Sequence, residues 1–235
     1  MKQFLNHANI LALLLSGVAG FVDATSFLGL NHLFTAHITG NLVVAVTDFV
    51  GVGPKITWIR LTIIPLFMAA VMGSTLFSRF RAIRPFHFFW LEASSLLVFT
   101  GFCLIYSGLN TSPLKDLALF LAGSLGVISM GIHNTAMRET LGNLAPTTAM
   151  TNNLTQFTMD LSSFSLIQLS PQVSPLVSEY SALQQRLGKF GSSLLGFSLG
   201  AMVGGLLTHY FGFGPLLLPT LTMAGLALQS QVKER

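Results

Sequence analysis

Apolar runs about as long as a bilayer is thick recur along this chain, and they leave few folds open. A helix needs ~20 consecutive apolar residues to cross the hydrocarbon core, and only helices or closed barrels satisfy their own backbone there. Such spans read from about Asn9 to Leu30, Trp58 to Ser78, Phe86 to Tyr106, Leu117 to Met137, Phe190 to Phe211 and Pro215 to Leu228. Of the 235 residues only 9% are charged, and the mean hydropathy is +0.69. A soluble domain carries about 25% charged residues, so the expectation is an all-α polytopic membrane protein. The net charge of +4 then belongs to loops facing anionic headgroups. Scattered basic residues without an aromatic-interleaved patch argue against nucleic acid as a partner. The opening MKQFLNHANILALLLSGVAG lacks an A-x-A cleavage site and runs on to Leu30, so it reads as the first span rather than a signal peptide. The single cysteine, Cys103, excludes an intramolecular disulfide and a cysteine metal cluster.

Inside this apolar chain one polar stretch appears twice. TAHITGNLVVAVTD (Thr35 to Asp48) and TTAMTNNLTQFTMD (Thr147 to Asp160) match without a gap at Thr35/Thr147, Thr39/Thr151, Asn41/Asn153, Leu42/Leu154 and Asp48/Asp160. Each opens a shorter segment, Ile38 to about Gly53 and Thr148 to about Leu169, the first closed by the helix breaker Pro54. Gly20-x-x-Asp23 in the first span is echoed by Gly131-x-x-Asn134 in the fifth segment, and GSTLFSRF (Gly73 to Phe80) by GGLLTHYF (Gly204 to Phe211). These coincidences predict one membrane domain over 1–235 with internal repeats at about 9–110 and 113–230. If both repeated stretches cross, there are eight spans and parallel repeats. If both are re-entrant, there are six full spans and inverted repeats. The positive-inside rule favours six, because that places the loop with Arg79, Arg81 and Arg84 in the cytoplasm with both termini.

Polar residues in lipid are costly and mark function by default. On helices, His37, Asn41 and Asp48 share one face, as do Asn153, Gln156 and Asp160. The functional reading is a solute or ion pathway built from Asp23, Thr39, Asn41, Asp48, Asn134, Thr151, Asn153, Gln156 and Asp160. Two structural readings compete: interhelical hydrogen bonds tying the halves together, or aspartates at helix ends in the headgroup layer. Thr35, Thr39, Pro146, Thr147 and Thr148 are good helix-start residues. Helices starting within the membrane would aim positive dipole ends at an anionic group. The aspartates favour a cation or proton, and an anionic solute moving with a proton reconciles the two. Glu92 reads as interfacial, and Arg138 with Glu139 as a solvated pair at a helix end. Gly196, Gly200 and Gly204, echoed by Ala69 and Gly73, read as helix packing. The six histidines lack metal-ligand spacing. No P-loop, G-x-S-x-G or H-E-x-x-H occurs, so no catalytic residue, metal or cofactor is expected.

GFVDATSFLGLNHLFTAHITGNLV resembles the signature of the YoaK-type family of bacterial membrane proteins, built on a domain of unknown function. The resemblance rests on Asp23-Ala24 and on Phe34 with Thr39-Gly40-Asn41. MGIHNTAMRETLGNLAPTTAMTNNL is similar to the family's second conserved region, with His133 in place of Gln, Thr135 in place of Ala and Asn152 in place of Gly. The resemblance implies a multi-pass inner-membrane protein and carries no activity. The expected function is therefore a transporter or channel for a small solute, with the bilayer, the solute or ion, and further copies in a homo-oligomer as partners. The alternatives are a membrane-embedded enzyme acting on a lipid or quinone, and a non-transporting assembly or sensory protein contacting partners through a polar loop at 171–188.

Overall fold

Helices follow the apolar runs. A computed structural model describes residues 7–51, 56–80, 83–109, 114–139, 141–142, 144–169 and 177–233. In chain order these form α1 (His7–Gly29), α2 (Ile38–Phe49), α3 (Thr57–Phe80), α4 (Pro85–Gly108), α5 (Leu114–Glu139), α6 (Met150–Leu169), α7 (Val177–Phe211) and, after a 3-10 turn at Gly214–Leu216, α8 (Leu217–Lys233). Five of them (α1, α3, α4, α5 and α7) are long and apolar enough to cross a membrane. Large apolar side chains on their outer faces, such as Met68, Leu97 and Leu206, are exposed, as lipid requires and water would not tolerate in such numbers. The chain is an all-helical, multi-pass membrane protein. Pro54, Arg81 and residues 170–176 of the expected polar loop lie outside the described residues.

One boundary differs from expectation. Residues 177–188 extend α7 rather than forming a loop. Ala182, Leu183, Gln184, Gln185, Arg186 and Leu187 are strong helix formers, and Leu183 and Leu187, one turn apart, are both buried. Polarity suggests a loop, yet the segment forms the amphipathic first three turns of a long helix.

Contacts between helices sort their ends into two groups. Call proximal the end where α1 begins. There Asn9 lies against Gly188 of α7. Leu13, Gly17 and Phe21 then meet Gly196, Gly200 and Gly204 in register, so α1 and α7 run parallel. At the distal end, Phe213 touches Gly29 and packs against Tyr106, gathering the last turns of α1, α4 and α7. α3 also starts at the distal end, since Arg60 reaches the carbonyls of Asn31 and His32 just beyond α1. Trp58 packs against Phe120, which places the start of α5 there too. α2 therefore returns the chain to the end that α1 reached, and does not cross. α6 does the same proximally: α5 ends there, and Asp160 of α6 pairs with Arg186, two residues before Gly188. α2 and α6 are short re-entrant helices entering from opposite ends.

The halves interlock. α1 packs most extensively on α7, and α5 packs on α3 as well as on α4, so the first helix of each half lies against the third helix of the other. In the α1–α7 seam a Cβ at Gly20, Gly196, Gly200 or Gly204 would collide with backbone of the facing helix, the close approach that small residues permit in membranes. Ser16 with Ser193 (2.8 Å) and Thr208 with Thr25 (2.9 Å) add hydrogen bonds across it. In the α3–α5 seam the expected Gly73 has open space around it, and Ala70 against Gly131 makes the close contact instead.

Candidate functional site

The site forms where the two re-entrant segments turn. α1 ends in a left-handed turn at Asn31 (φ 51°) and His32 (φ 59°), a conformation that asparagine tolerates better than most residues. Residues 33–37 then fold back beside α1 and reach Asp23. That residue lies six positions before Gly29 in the helix, roughly 9 Å in at 1.5 Å per residue. Asp23 Oδ1 accepts the backbone N–H of Thr35 (2.8 Å) and Ala36 (2.7 Å), and Oδ2 lies 2.6 Å from Nδ1 of His37. A carboxylate is suited to this, because bonds from N–H to an ionised acceptor are about twice as strong as neutral ones. Asn41, fully buried, then clamps Phe34: its Oδ1 accepts the Phe34 N–H (2.9 Å) and its Nδ2 donates to the Phe34 carbonyl (2.7 Å).

The second segment repeats the geometry. Asn153 Nδ2 donates to the Pro146 carbonyl (2.6 Å), seven residues back as Asn41 reaches Phe34. Proline has no N–H to return, so Asn153 Oδ1 is buried without a partner. Thr147 is as buried as Thr35. Its hydroxyl lies 2.8 Å from Nε2 of His133, while Nδ1 of that ring lies 2.8 Å from Oε1 of Glu92 on α4. The Thr148 hydroxyl donates to Asn134 Oδ1 (2.7 Å), and Asn134 Nδ2 donates to the Met130 carbonyl (2.9 Å).

Each of these helices is pinned by an aspartate–arginine pair, at the end of α2 and midway along α6. Arg60 Nε donates to Asp48 Oδ2 (2.8 Å), and its other nitrogens donate to the His32 and Asn31 carbonyls (2.5 and 2.6 Å). Both side chains are wholly enclosed. Arg186 donates to both oxygens of Asp160 (3.0–3.2 Å) and is half exposed, with Gln156 Nε2 donating to the same carboxylate (3.2 Å).

Between the tips lies a cavity of about 450 Å³. Ala36 to Thr39 of the first tip and Thr148 of the second both line it, with Phe67, Val71 and Thr75 of α3 and Asn134 of α5. Its proximal wall carries Arg138 and Glu139. A second cavity of about 420 Å³ lies between α1 and α7, lined by Asp23, Phe27, Phe34, Gly40, Phe197 and Ala201. His37 and Thr39 line both.

A family model described as "Protein of unknown function (DUF1275)" matches residues 11–229. The chain belongs to this family. The YoaK-type resemblance is consistent with that membership. No curated protein and no solved structure matches the chain.

In this DUF1275 chain the residues singled out by sequence separate into three places. Asp23, Thr39 and Asn134 line the cavities. Asn41 and Asn153 bind loop backbone, Asp48 and Asp160 bind arginines, and Gln156 donates to Asp160. Thr151 is exposed on the first turn of α6, accepting the Thr155 hydroxyl through its carbonyl. Arg138 and Glu139 close α5 and are exposed, as expected at a helix end, and both also line the cavity. Glu92 is not interfacial: it is fully buried against His133, because α4 begins beneath the second re-entrant segment. Arg60, Arg186 and His133 were not singled out. The one signal available for the arginines was the unpaired repeat of Asp48 and Asp160, each needing a cation if buried. Among the described residues no cluster of metal-ligating groups occurs.

Proposed function

We propose that the chain is a transporter or channel for a small polar solute, with a path through the two cavities and past His37 and Thr39. One observation carries this reading: both re-entrant tips line the same cavity, and the residues dividing it from the next are polar. Discontinuous helices meeting at membrane depth are how many transporters build solute sites, and irregular backbone at that depth is tolerated where it lines a cavity. The Asp23–His37 pair at the divide supports a proton-coupled version. The offset of 112 residues between Phe34–Asn41 and Pro146–Asn153, with matching hydrogen bonds, supports an inverted internal duplication. Arg79, Arg84, Arg138, Arg186 and Lys189 lie at or near the proximal end. By the positive-inside rule that end, with both termini, faces the cytoplasm, the membrane being the bacterial inner membrane that the family resemblance implies.

The test is uptake into proteoliposomes of a panel of small neutral, anionic and cationic solutes, with and without a pH gradient. At least one solute should enter faster than into protein-free vesicles. Thr39→Trp, which fills the divide, should abolish that uptake, while Leu206→Trp on the lipid face should not. Uptake that survives Thr39→Trp sinks the pathway. Asp23→Asn should remove any acceleration by the gradient, and equal gradient response in both proteins removes Asp23 from the coupling.

A further inference from the structure

Each re-entrant tip is held by a carboxylate–imidazole pair, yet only one of the two follows from the repeated sequence. At the first tip the pair is Asp23 with His37. At the second, the counterparts are Asn134, one residue out of register with the repeat, and Ala149, and neither can titrate. A pair is nevertheless present, assembled from outside the repeat by Glu92 of α4 and His133 of α5.

We propose that Glu92 and His133 bind a single proton between them, deep in the membrane, and that this proton sets whether water reaches the second tip. Glu92 lies seven residues into α4 and His133 six from the end of α5, so both sit roughly 9–10 Å from the proximal end at 1.5 Å per residue. Their exposures are 0% and 1%, and that of Thr147 beyond them is 0%. Glu92 Oε2 is buried without a partner. With one proton shared, the pair is neutral overall, as a carboxylic acid beside imidazole or as carboxylate beside imidazolium. Loss of that proton to the aqueous phase leaves one uncompensated negative charge in a dry site, which is costly enough to draw in water or a cation. The nearest source is the 450 Å³ cavity, whose wall includes Asn134, Thr135 and Thr148, next in sequence to His133 and Thr147. The chain of contacts Glu92–His133–Thr147 thus ties protonation to the position of the tip. The other charged or titratable groups on the elements around the pair are, toward the proximal end, Arg79 on α3, Arg84 and His87 at the start of α4, and Arg138 and Glu139 at the end of α5, and, toward the distal end, Arg60 on α3, Cys103 and Tyr106 on α4, and Lys115 and Asp116 on α5. The tip itself, residues 144–149, brings none, and α8 none before Lys233.

The test uses the full chain in lipid vesicles, with Cys103→Ala removing the single cysteine and Thr148→Cys reporting on the tip. Labelling by a water-soluble maleimide is followed between about pH 5 and pH 8, the range over which histidine changes charge. Thiol ionisation contributes equally with and without Glu92→Gln, so the comparison isolates the pair. With Glu92 present, labelling should rise about tenfold more over that range, the factor corresponding to about 1.4 kcal/mol. With Glu92→Gln the extra rise should vanish. Superimposable profiles would overturn the proposal. A second measurement needs no substitution at the pair: histidine ¹⁵N resonances of the unaltered protein should include a buried ring that changes protonation over the same range. His133 fixed in one protonation state throughout would overturn it as well. Neither readout requires a transported solute, so the proposal stands or falls separately from transport.

Discussion

At the first tip a carboxylate gathers the backbone, with Asp23 taking the N–H groups of Thr35 and Ala36 while Asn41 holds Phe34 from both sides. At the second, side chains hold side chains: His133 on Thr147, Asn134 on Thr148, and a single donation from Asn153 to Pro146. The aspartate–arginine pins differ in the same sense, Asp48–Arg60 being sealed and Asp160–Arg186 half open to its surroundings. Two segments of one shape are therefore held with unequal stiffness. The first is held through its backbone, and the second mainly through its side chains. Backbone anchoring removes main-chain freedom outright, whereas hydroxyl contacts can be exchanged for water at little cost.

The largest expected contrast lies in the pins. Arg60→Ala strands a buried carboxylate and should cost about 3–5 kcal/mol, enough to lose folded protein. Arg186→Ala leaves Asp160 buried with Gln156 as its remaining donor and removes an arginine that is half exposed, so it should cost less, about 1–3 kcal/mol. Chemical denaturation in a fixed detergent measures both, and equal losses would erase the distinction. Next comes the tip anchor. Asp23→Ala strands two amides and should cost about 2 kcal/mol, the low end for two such groups because the adjoining cavity can supply water. Asn134→Ala should cost about 1 kcal/mol or less. The smallest contrast is between the clamps. Asn41→Ala loses two bonds to the tip backbone, whereas Asn153→Ala loses one together with a long bond to Ser193 Oγ (3.3 Å), so the first should cost more by about 1 kcal/mol or less. Pro146→Ala restores an N–H for Asn153 Oδ1, and in that background the cost of Asn153→Ala should rise toward that of Asn41→Ala. A double-mutant cycle reads this coupling directly, and no coupling would mean that the proline is not the cause of the asymmetry.

Much of the fold was legible because it is written in local patterns. Apolar run length set the helices, and the repeated Thr–Asn–Asp spacing marked two segments that turn out to share a backbone path and return without crossing. The partners were hidden because they are distant in sequence. Arg186 is 26 residues from Asp160, and His133 is 41 from Glu92; no periodicity links such positions. Glu92 looked interfacial because depth was counted along its own helix, whereas burial came from a neighbour that covers the helix start. The polar stripe on α2 and α6 faces protein, as a polar face in a membrane domain must. Asn41, Asp48, Asn153 and Asp160 are enclosed by arginines and loop backbone, and the cavity is lined instead by the residues at the tips. A face tells which way a side chain points, and the partner it finds there depends on the rest of the fold.

The interlocking of the two halves has a consequence for how the protein is made. Ser16 and its partner Ser193 are separated by 177 positions. At a synthesis rate of ~5–20 residues per second, roughly ten to thirty-five seconds pass between the emergence of one and the other. For that interval α1, with its glycine-lined face and the Asp23 carboxyl, resides in the bilayer without the helix that covers it. α1 is made long before its main partner, so in a newly made chain its small-residue face meets lipid until α7 arrives.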